Sequence, residues 1–245
     1  MIPKVIHYCW FGRGPLPESA EKCIASWKKT FPGFQIKEWN EENFDVNVIP
    51  YTQEAYQAKK YAFVSDYARF WILYKFGGVY FDVDVEAVKP IDDLLEKGPV
   101  WAFETKNQGE SRASLAGGLC LAMEEGNPFC KKILDKYQQM SFYDKDGNVS
   151  SYTMNPMMTD LFYRAGLKGD GSVECLLGNY FYPQDYFNPL DDATGRLRIT
   201  ENTRSIHWFM KSWLPSQAKW KIWAKRMARR IFGTKTLSRI RQTIK

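Results

Sequence analysis

Two aspartates one residue apart, Asp82 and Asp84, close an apolar run in YKFGGVYFDVDVEAVKP (residues 74–90), directly after a Gly-Gly break. Side chains alternate along a strand, so residues two apart share a face. On that pattern Val79, Phe81, Val83 and Val85 line one face of a strand, and Tyr80, Asp82, Asp84 and Glu86 the other. Like charges this close, when partly buried, cost free energy unless a cation or a donor offsets them. Carboxylate oxygens suit Mg²⁺ or Mn²⁺, which retain water and bind substrate phosphates beside one or two carboxylates. A divalent ion bridging Asp84 to a diphosphate would relieve the repulsion. The alternative is a strand end that merely reaches solvent, and D-x-D by itself does not decide between the two.

The neighbouring elements favour a ligand site. Val5–Trp10 reads as a buried strand ended by Gly12 and Gly14, and Leu16–Phe31 as an amphipathic helix with Cys23, Ile24, Trp27 and Phe31 on one stripe. Phe34–Trp39 alternates as a short strand, which completes the strand–helix–strand unit of a parallel α/β sheet. In such sheets ligands bind at the C-terminal ends of the strands, where the D-x-D would stand. Thr52–Phe76 reads as one long helix with Phe63, Tyr67, Phe70 and Tyr74 on a stripe and Gly77-Gly78 as its stop. Asp66 and Arg69 are three apart on that helix and so are neighbours. Pro99–Glu104 and Leu115–Ala122 read as further strands, and Pro128–Met140 and Pro156–Ala165 as helices entered through Asn-Pro. Shorter apolar pieces follow at Leu176–Tyr182 and Ser205–Phe209.

Composition bounds the rest. The 245 residues are 44% hydrophobic and 16% aromatic, enough for a substantial core with stacking surfaces. Five cysteines without C-x-x-C spacing indicate neither a zinc knuckle nor a disulfide framework. The N-terminus lacks a signal-peptide layout and no uncharged apolar run approaches the ~18 residues of a membrane span, so a cytoplasmic location is expected. The net charge of +6 is a property of the C-terminus. Ten of the 34 Lys and Arg fall in residues 219–245 with no acid, which leaves residues 1–218 at about −4. Within that segment Trp220, Trp223, Met227 and Ile231 recur at helical spacing among basic residues. A basic amphipathic helix of this kind suits the cytoplasmic face of an anionic membrane. A helix packed on its own domain, a disordered tail and a nucleic-acid arm compete with that reading, although no nucleic-acid-binding fold supports the last.

Five stretches together, IPKVIHYCWFG (2–12), SW (26–27), WNEENFD (39–45), KKYAFVSDYARFWILYKFGGVYFDVDVE (59–86) and SIHWFMKSW (205–213), resemble the DXD-containing glycosyltransferases of family 32. The resemblance covers roughly residues 1–215. It implies a GT-A-type, single Rossmann-like α/β domain with a mixed, mainly parallel sheet over 1–215, followed by the basic tail at 216–245. It also implies a nucleotide-sugar donor (UDP- or GDP-), Mn²⁺ or Mg²⁺, and retention of anomeric configuration. Carried over by position, Asp84 binds the metal directly, while Asp82 faces the donor ribose and reaches the ion through water. Asp66 and Arg69 contact the donor sugar, Tyr80 contacts the donor and Trp10 stacks on the base. His207 completes the metal shell, and Ser212 and Trp213 form a loop closing over the donor. Asn155 and Thr159 sit beside the site as donor or acceptor contacts. Where relatives often show two adjacent histidines, this chain has His207-Trp208.

The expected activity is transfer of a hexose or N-acetylhexosamine to a hydroxyl of a glycan, free or lipid-linked, in capsular, exopolysaccharide or lipid-linked oligosaccharide synthesis. The alternative is a haloacid-dehalogenase-like phosphatase, which also uses D-x-D at a strand end. That motif normally has Thr or Val four residues after its first Asp, where this chain has Glu86. A glycosidase needs carboxyls ~5–10 Å apart flanking a bond, which fits the adjacent pair poorly.

Overall fold

The computed structural model describes residues 1–104, 112–150, 152–210 and 226–227. In chain order the elements are β1 (Val5–Cys9), α1 (Glu18–Thr30), β2 (Gln35–Trp39), α2 (Pro50–Gln57), α3 (Tyr61–Phe76), β3 (Gly78–Tyr80), β4 (Val85–Ala87), α4 (Asp92–Leu95) and β5 (Val100–Ala102). They continue with β6 (Leu121–Met123), α5 (Pro128–Tyr137), α6 (Met154–Arg164), β7 (Glu174–Leu176), β8 (Asn179–Tyr182), α7 (Gln184–Phe187), β9 (Leu190–Asp191), β10 (Arg196–Leu197) and β11 (Ser205–His207). Seven strands form one sheet in the order β2-β1-β3-β6-β5-β8-β7. Strands β2, β1, β3, β5 and β8 run one way, while β6 opposes β3 and β5, and β7 opposes β8. This is the mixed, mainly parallel α/β sheet expected of the GT-A type. The C-terminal amphipathic helix expected at 216–245 lies outside the described residues apart from 226–227.

Alternation along the strands divides the core in two. Ile6, Tyr8, Val79, Phe81, Val100, Ala102 and Tyr182 pack with Trp27 and Phe31 toward α1. Cys9, Tyr80, Trp101, Leu121 and Phe181 pack with Tyr67, Phe70 and Phe162 from α3 and α6 on the opposite side. Each fully buried ring contributes about 1.5–3 kcal/mol. Trp101, fully buried, stacks near-parallel on Phe70 and Phe181 with Phe162 edge-on at 4.5 Å. Helix α3 is therefore hydrophobic almost all round through its middle, because α2, α5 and the sheet all pack against it.

Several expected elements differ. The helix expected over 52–76 is two, broken at 58–60, where Lys59 adopts a left-handed φ of 56°. Its stop at Gly77 is as expected. Gly77 has φ 60°, and a Cβ there would lie 2.8 Å from the Glu125 backbone nitrogen. The apolar piece at 176–182 is a hairpin, β7 and β8, turned by Leu177 and Gly178 at positive φ. Asn127 caps α5 through the Phe129 and Cys130 amides. Helix α6, however, starts two residues before Pro156 with Thr153 at its cap, which frees Asn155 for another contact.

Candidate active site

The strand expected to carry the acidic pair stops short of it. Strand β3 ends at Tyr80 in the large sheet, residues 83–84 form a turn closed by the Val85 amide on the Asp82 carbonyl (3.1 Å), and β4 then leaves to pair with β11. A turn, and not the pleat, brings the two carboxylates together. Antiparallel pairing of His207 with Val85 sets that histidine one residue from Asp84. The outer edge of β4 is satisfied from α1, where Trp27 Nε1 donates to the Val85 carbonyl (2.7 Å) and Ser26 Oγ accepts from the Ala87 amide (2.8 Å). Trp208 closes the opposite end, its amide donating to the Asp84 carbonyl and its indole to Glu86.

Asp82, Asp84 and His207 offer ligand atoms within 4.8 Å of one another. Asp84 Oδ1 lies 3.0 Å from His207 Nε2, and Asp84 Oδ2 accepts from the Met210 amide at 2.9 Å. Burial disfavours both charges, yet each partner outweighs that cost. The His207 imidazole is lifted above its ordinary value by Asp84, and the Asp84 carboxyl is held below its own by His207 and the Met210 amide. Two carboxylates and an imidazole converging at a cleft, with the buried His207 Nδ1 left without a partner among the described residues, form a donor set that fits a hard divalent ion with open positions for water or phosphate.

Asp66 and Arg69 are not an exposed helix pair. Arg69 is 4% exposed and bridges Asp66 (3.0 Å) to Asp82 (3.2 Å), with its guanidinium over the Tyr80 ring at 4.8 Å. Tyr80 Oη also donates to Asp82 Oδ1 at 3.0 Å. Burial drives the Asp66 carboxyl up to about 6, with Arg69 opposing and Asp82 adding to the rise. Burial alone would lower Arg69, but Asp82, Tyr80 and Asp66 hold it protonated. Tyr80 is 1% exposed and lines neither cleft, so it supports Asp82 from beneath and does not present itself to a ligand.

Two clefts meet at Arg69, Asp82 and His207. One, of 480 Å³, runs between the 9–14 segment and the start of α3 and includes Trp10, Ser65 and Asp84. The indole of Trp10 is half-buried and tied to the Gly14 carbonyl at 2.7 Å, so its ring stands at the wall of that cleft. The other, of 690 Å³, extends past Asp66 and Gly118 to Asn155 and Met154 on one side and to Lys59 and Lys60 on the other. Asn155 Oδ1 accepts from the Gly117 amide (3.2 Å), and Thr159 Oγ1 accepts from the Leu115 amide (2.9 Å) without lining either cleft. Ser212 and Trp213 lie outside the described residues.

Four residues that shape the site were given no site role from sequence. Ser26 and Trp27 anchor β4 from another element, as above. Glu41 in WNEENFD accepts from the Gly12 amide (2.6 Å) and from Tyr56 Oη (2.8 Å), fixing the loop beside Trp10. Gly118 passes so close to Asp82 that a Cβ there would fall 1.9 Å from Oδ2. Only the quoted motif letters pointed at the first three, and no local signal tied the glycine to Asp82.

Residues 17–101 match the family described as "Glycosyltransferase sugar-binding region containing DXD motif". Among curated relatives, the chain is 26% identical over 175 residues to inositol phosphoceramide mannosyltransferase 3 of Schizosaccharomyces pombe, covering 68% of this chain and 46% of that protein. It is 33% identical over 107 residues to inositol phosphoceramide mannosyltransferase 1 of the same yeast, covering 39% of this chain and 32% of that protein. It is 34% identical over 114 residues to the uncharacterized glycosyltransferase L373 of Acanthamoeba polyphaga mimivirus, covering 44% and 45% respectively. The chain thus spans less than half the length of these relatives. Solved structures that it resembles include the PaToxG glycosyltransferase (20% identical, 66% of this chain and 69% of that chain, TM-score 0.49). Another is the galactosyltransferase LgtC with donor and acceptor sugar analogues (12% identical, 90% and 93%, TM-score 0.49). Nothing in these comparisons supports the haloacid-dehalogenase-like phosphatase.

Proposed function

Because residues 17–101 match the sugar-binding region of DXD-motif glycosyltransferases, we propose that the protein is a metal-dependent, retaining glycosyltransferase. It moves a hexose or N-acetylhexosamine from a UDP- or GDP-sugar to a hydroxyl of a glycan acceptor. The observation that carries this reading is the convergence of Asp82, Asp84 and His207 where two clefts meet, beside the buried Arg69–Asp66 pair. Asp84 and His207 would hold Mn²⁺ or Mg²⁺, with Asp82 completing the set directly or through water. When bound, the ion supplies neutralisation of the negative charge that grows on the departing nucleoside diphosphate.

The chain's own residues supply the rest. Trp10 offers a stacking face for the base in the smaller cleft, where such contacts contribute ~1–3 kcal/mol with little discrimination between bases. Arg69, held rigid by Asp66 and Asp82, presents a fixed cation to sugar or phosphate oxygens. Asp66, with its raised carboxyl, accepts from or donates to sugar hydroxyls. Asn155 keeps its amide group at the wall of the larger cleft, which takes the sugar and the acceptor. By the family resemblance, Ser212 and Trp213 would add donor contacts. The curated yeast relatives are named as mannosyltransferases of a phosphorylated lipid, which favours a hexose donor and a lipid-linked acceptor here. Residues 216–245 would hold the enzyme at the cytoplasmic membrane surface, within capsular, exopolysaccharide or lipid-linked oligosaccharide synthesis.

The test is thermal unfolding with Mn²⁺ or Mg²⁺ and UDP or GDP, followed by turnover of a nucleotide-sugar panel. Stabilisation that requires metal and nucleotide together, with slow hydrolysis of one donor, is the expected result. Absence of metal uptake with every nucleotide, or phosphate release from simple phosphomonoesters, overturns the proposal.

A further inference from the structure

Residues 113–116 run extended into a turn at 117–119, and among the described residues no second strand flanks them on one side. Its inner edge bonds the end of β5, with the Ala116 amide on the Ala102 carbonyl (3.1 Å), the Glu104 amide on the Ser114 carbonyl (2.7 Å), and Leu115 bridged to Phe103. Its outer edge meets helix α6. There Tyr163 Oη donates to the Ala113 carbonyl (3.0 Å), Thr159 Oγ1 accepts from the Leu115 amide (2.9 Å) and Asn155 Oδ1 accepts from the Gly117 amide (3.2 Å). Residues 155, 159 and 163 are spaced by four and so lie on one stripe of a helix, and the Ala113 carbonyl and the Leu115 and Gly117 amides all turn toward that stripe. A stripe of side chains therefore stands in for a missing neighbouring strand. The register it selects ends at Gly118, whose carbonyl accepts from the Asp82 amide (3.0 Å) and whose Cα leaves no room for a Cβ beside Asp82 Oδ2.

We infer that Asn155, Thr159 and Tyr163 of α6 are positioning residues for Asp82, acting as a clamp that sets the Gly117-Gly118 backbone against its carboxylate. Asp82 is consequently fixed from two sides. Tyr80 and Arg69 hold Oδ1 from β3 and α3, and the clamped glycine walls off Oδ2 and bonds the backbone. A slip of one residue in the extended residues 113–116 would turn the outward Leu115 amide inward, and would bring Leu119 or Gly117 to the place of Gly118. Gly117 is constrained as well, since a Cβ there would meet Met154 Sδ at 2.6 Å. The clamp itself stands on geometry alone, whereas its consequence for ligand binding rests on the proposed transferase function.

The test uses the full chain labelled for amide exchange, with Thr159→Val removing the acceptor for Leu115. Expected are exchange of the Leu115, Gly117 and Asp82 amides at least about fivefold faster than in the native protein, and affinity for UDP or GDP in the presence of Mn²⁺ lowered by a similar factor. Thr159→Ser should restore both, a rescue that loss of packing at this position would not show. Tyr163→Phe, which removes a single hydroxyl, should reproduce the exchange effect in a milder form if the valine variant folds poorly. Native exchange at Asp82 in both variants overturns the inference. If the native protein binds no nucleotide with metal, the transferase reading falls, while the exchange measurements still decide the clamp.

Discussion

The carboxylate of Asp82 shows how one acidic side chain is made rigid by its neighbours. Arg69 and Tyr80 converge on a single oxygen, and the helix supplying Arg69 also supplies Asp66 as its second partner. Among the described residues the Asp84 carboxylate meets His207 and the Met210 amide, with no arginine competing for it. Replacing Asp84 by Asn should therefore lower metal-dependent transfer by at least ~100-fold with an unchanged circular dichroism spectrum, since one electrostatic ligand at a reacting charge commonly contributes that much. Normal turnover in that variant would remove the metal role from Asp84. The other histidine serves the sheet. His7 accepts from Trp39 Nε1 at Nδ1 (3.1 Å) and lies 3.0 Å from the Gly77 carbonyl through Nε2, which fixes a neutral tautomer with its proton on Nε2. Burial, aided by Lys37 and opposed by the Gly77 carbonyl, lowers its pKa to about 4. The unfolded chain takes up this proton near pH 6.5 and the folded one only near 4, so stability is intact at neutral pH and lost as pH falls between those values. The loss should reach about 3 kcal/mol, read by urea unfolding at neutral and acid pH against His7→Gln, which lacks this part of the dependence.

At the scale of elements, the site is assembled by strand ends and by helices that reach across them. Helices α2 and α3 were expected as one because their apolar spacing continues through the junction. Yet 58–60 form a turn in which the Lys60 amide returns to the Ala55 carbonyl. Lys59 bears the left-handed backbone of that turn, and Lys59→Gly should stabilise the protein by about 1 kcal/mol by relieving Cβ crowding. An unfolding midpoint that drops in this variant would mean that the lysine stem contributes more than its backbone costs. The acidic strand was misjudged for a related reason. A period of two is shared by a continuous strand and by a strand, turn and second strand in succession, and composition does not mark the change of sheet at 82–84. Ser26 and Trp27 were legible as letters of a motif, but their bonds to β4 connect residues about sixty apart and become visible only when α1 lies beside that strand.

For the whole molecule, charge is divided along the chain, with residues 1–218 acidic in balance and 219–245 wholly basic. If the basic segment docks on an anionic bilayer at ~1 kcal/mol per charge near the surface, its deletion should release the protein from phosphatidylserine vesicles by at least tenfold. Transfer to a soluble acceptor should persist. Sedimentation with vesicles checks the first point, and unchanged partitioning would refute the anchor. By itself the sequence determined the class of sheet, the helix stop at Gly77 and the acidic, basic and aromatic residues worth watching. These depend on local periodicity, on backbone freedom at glycine and on side-chain chemistry. Tertiary structure alone decided that a turn joins the two aspartates, that Arg69 is buried between two carboxylates, and that helix α6 holds a glycine against Asp82. Those are contacts between distant segments, whose free energy depends on distance and burial that no spacing of letters encodes.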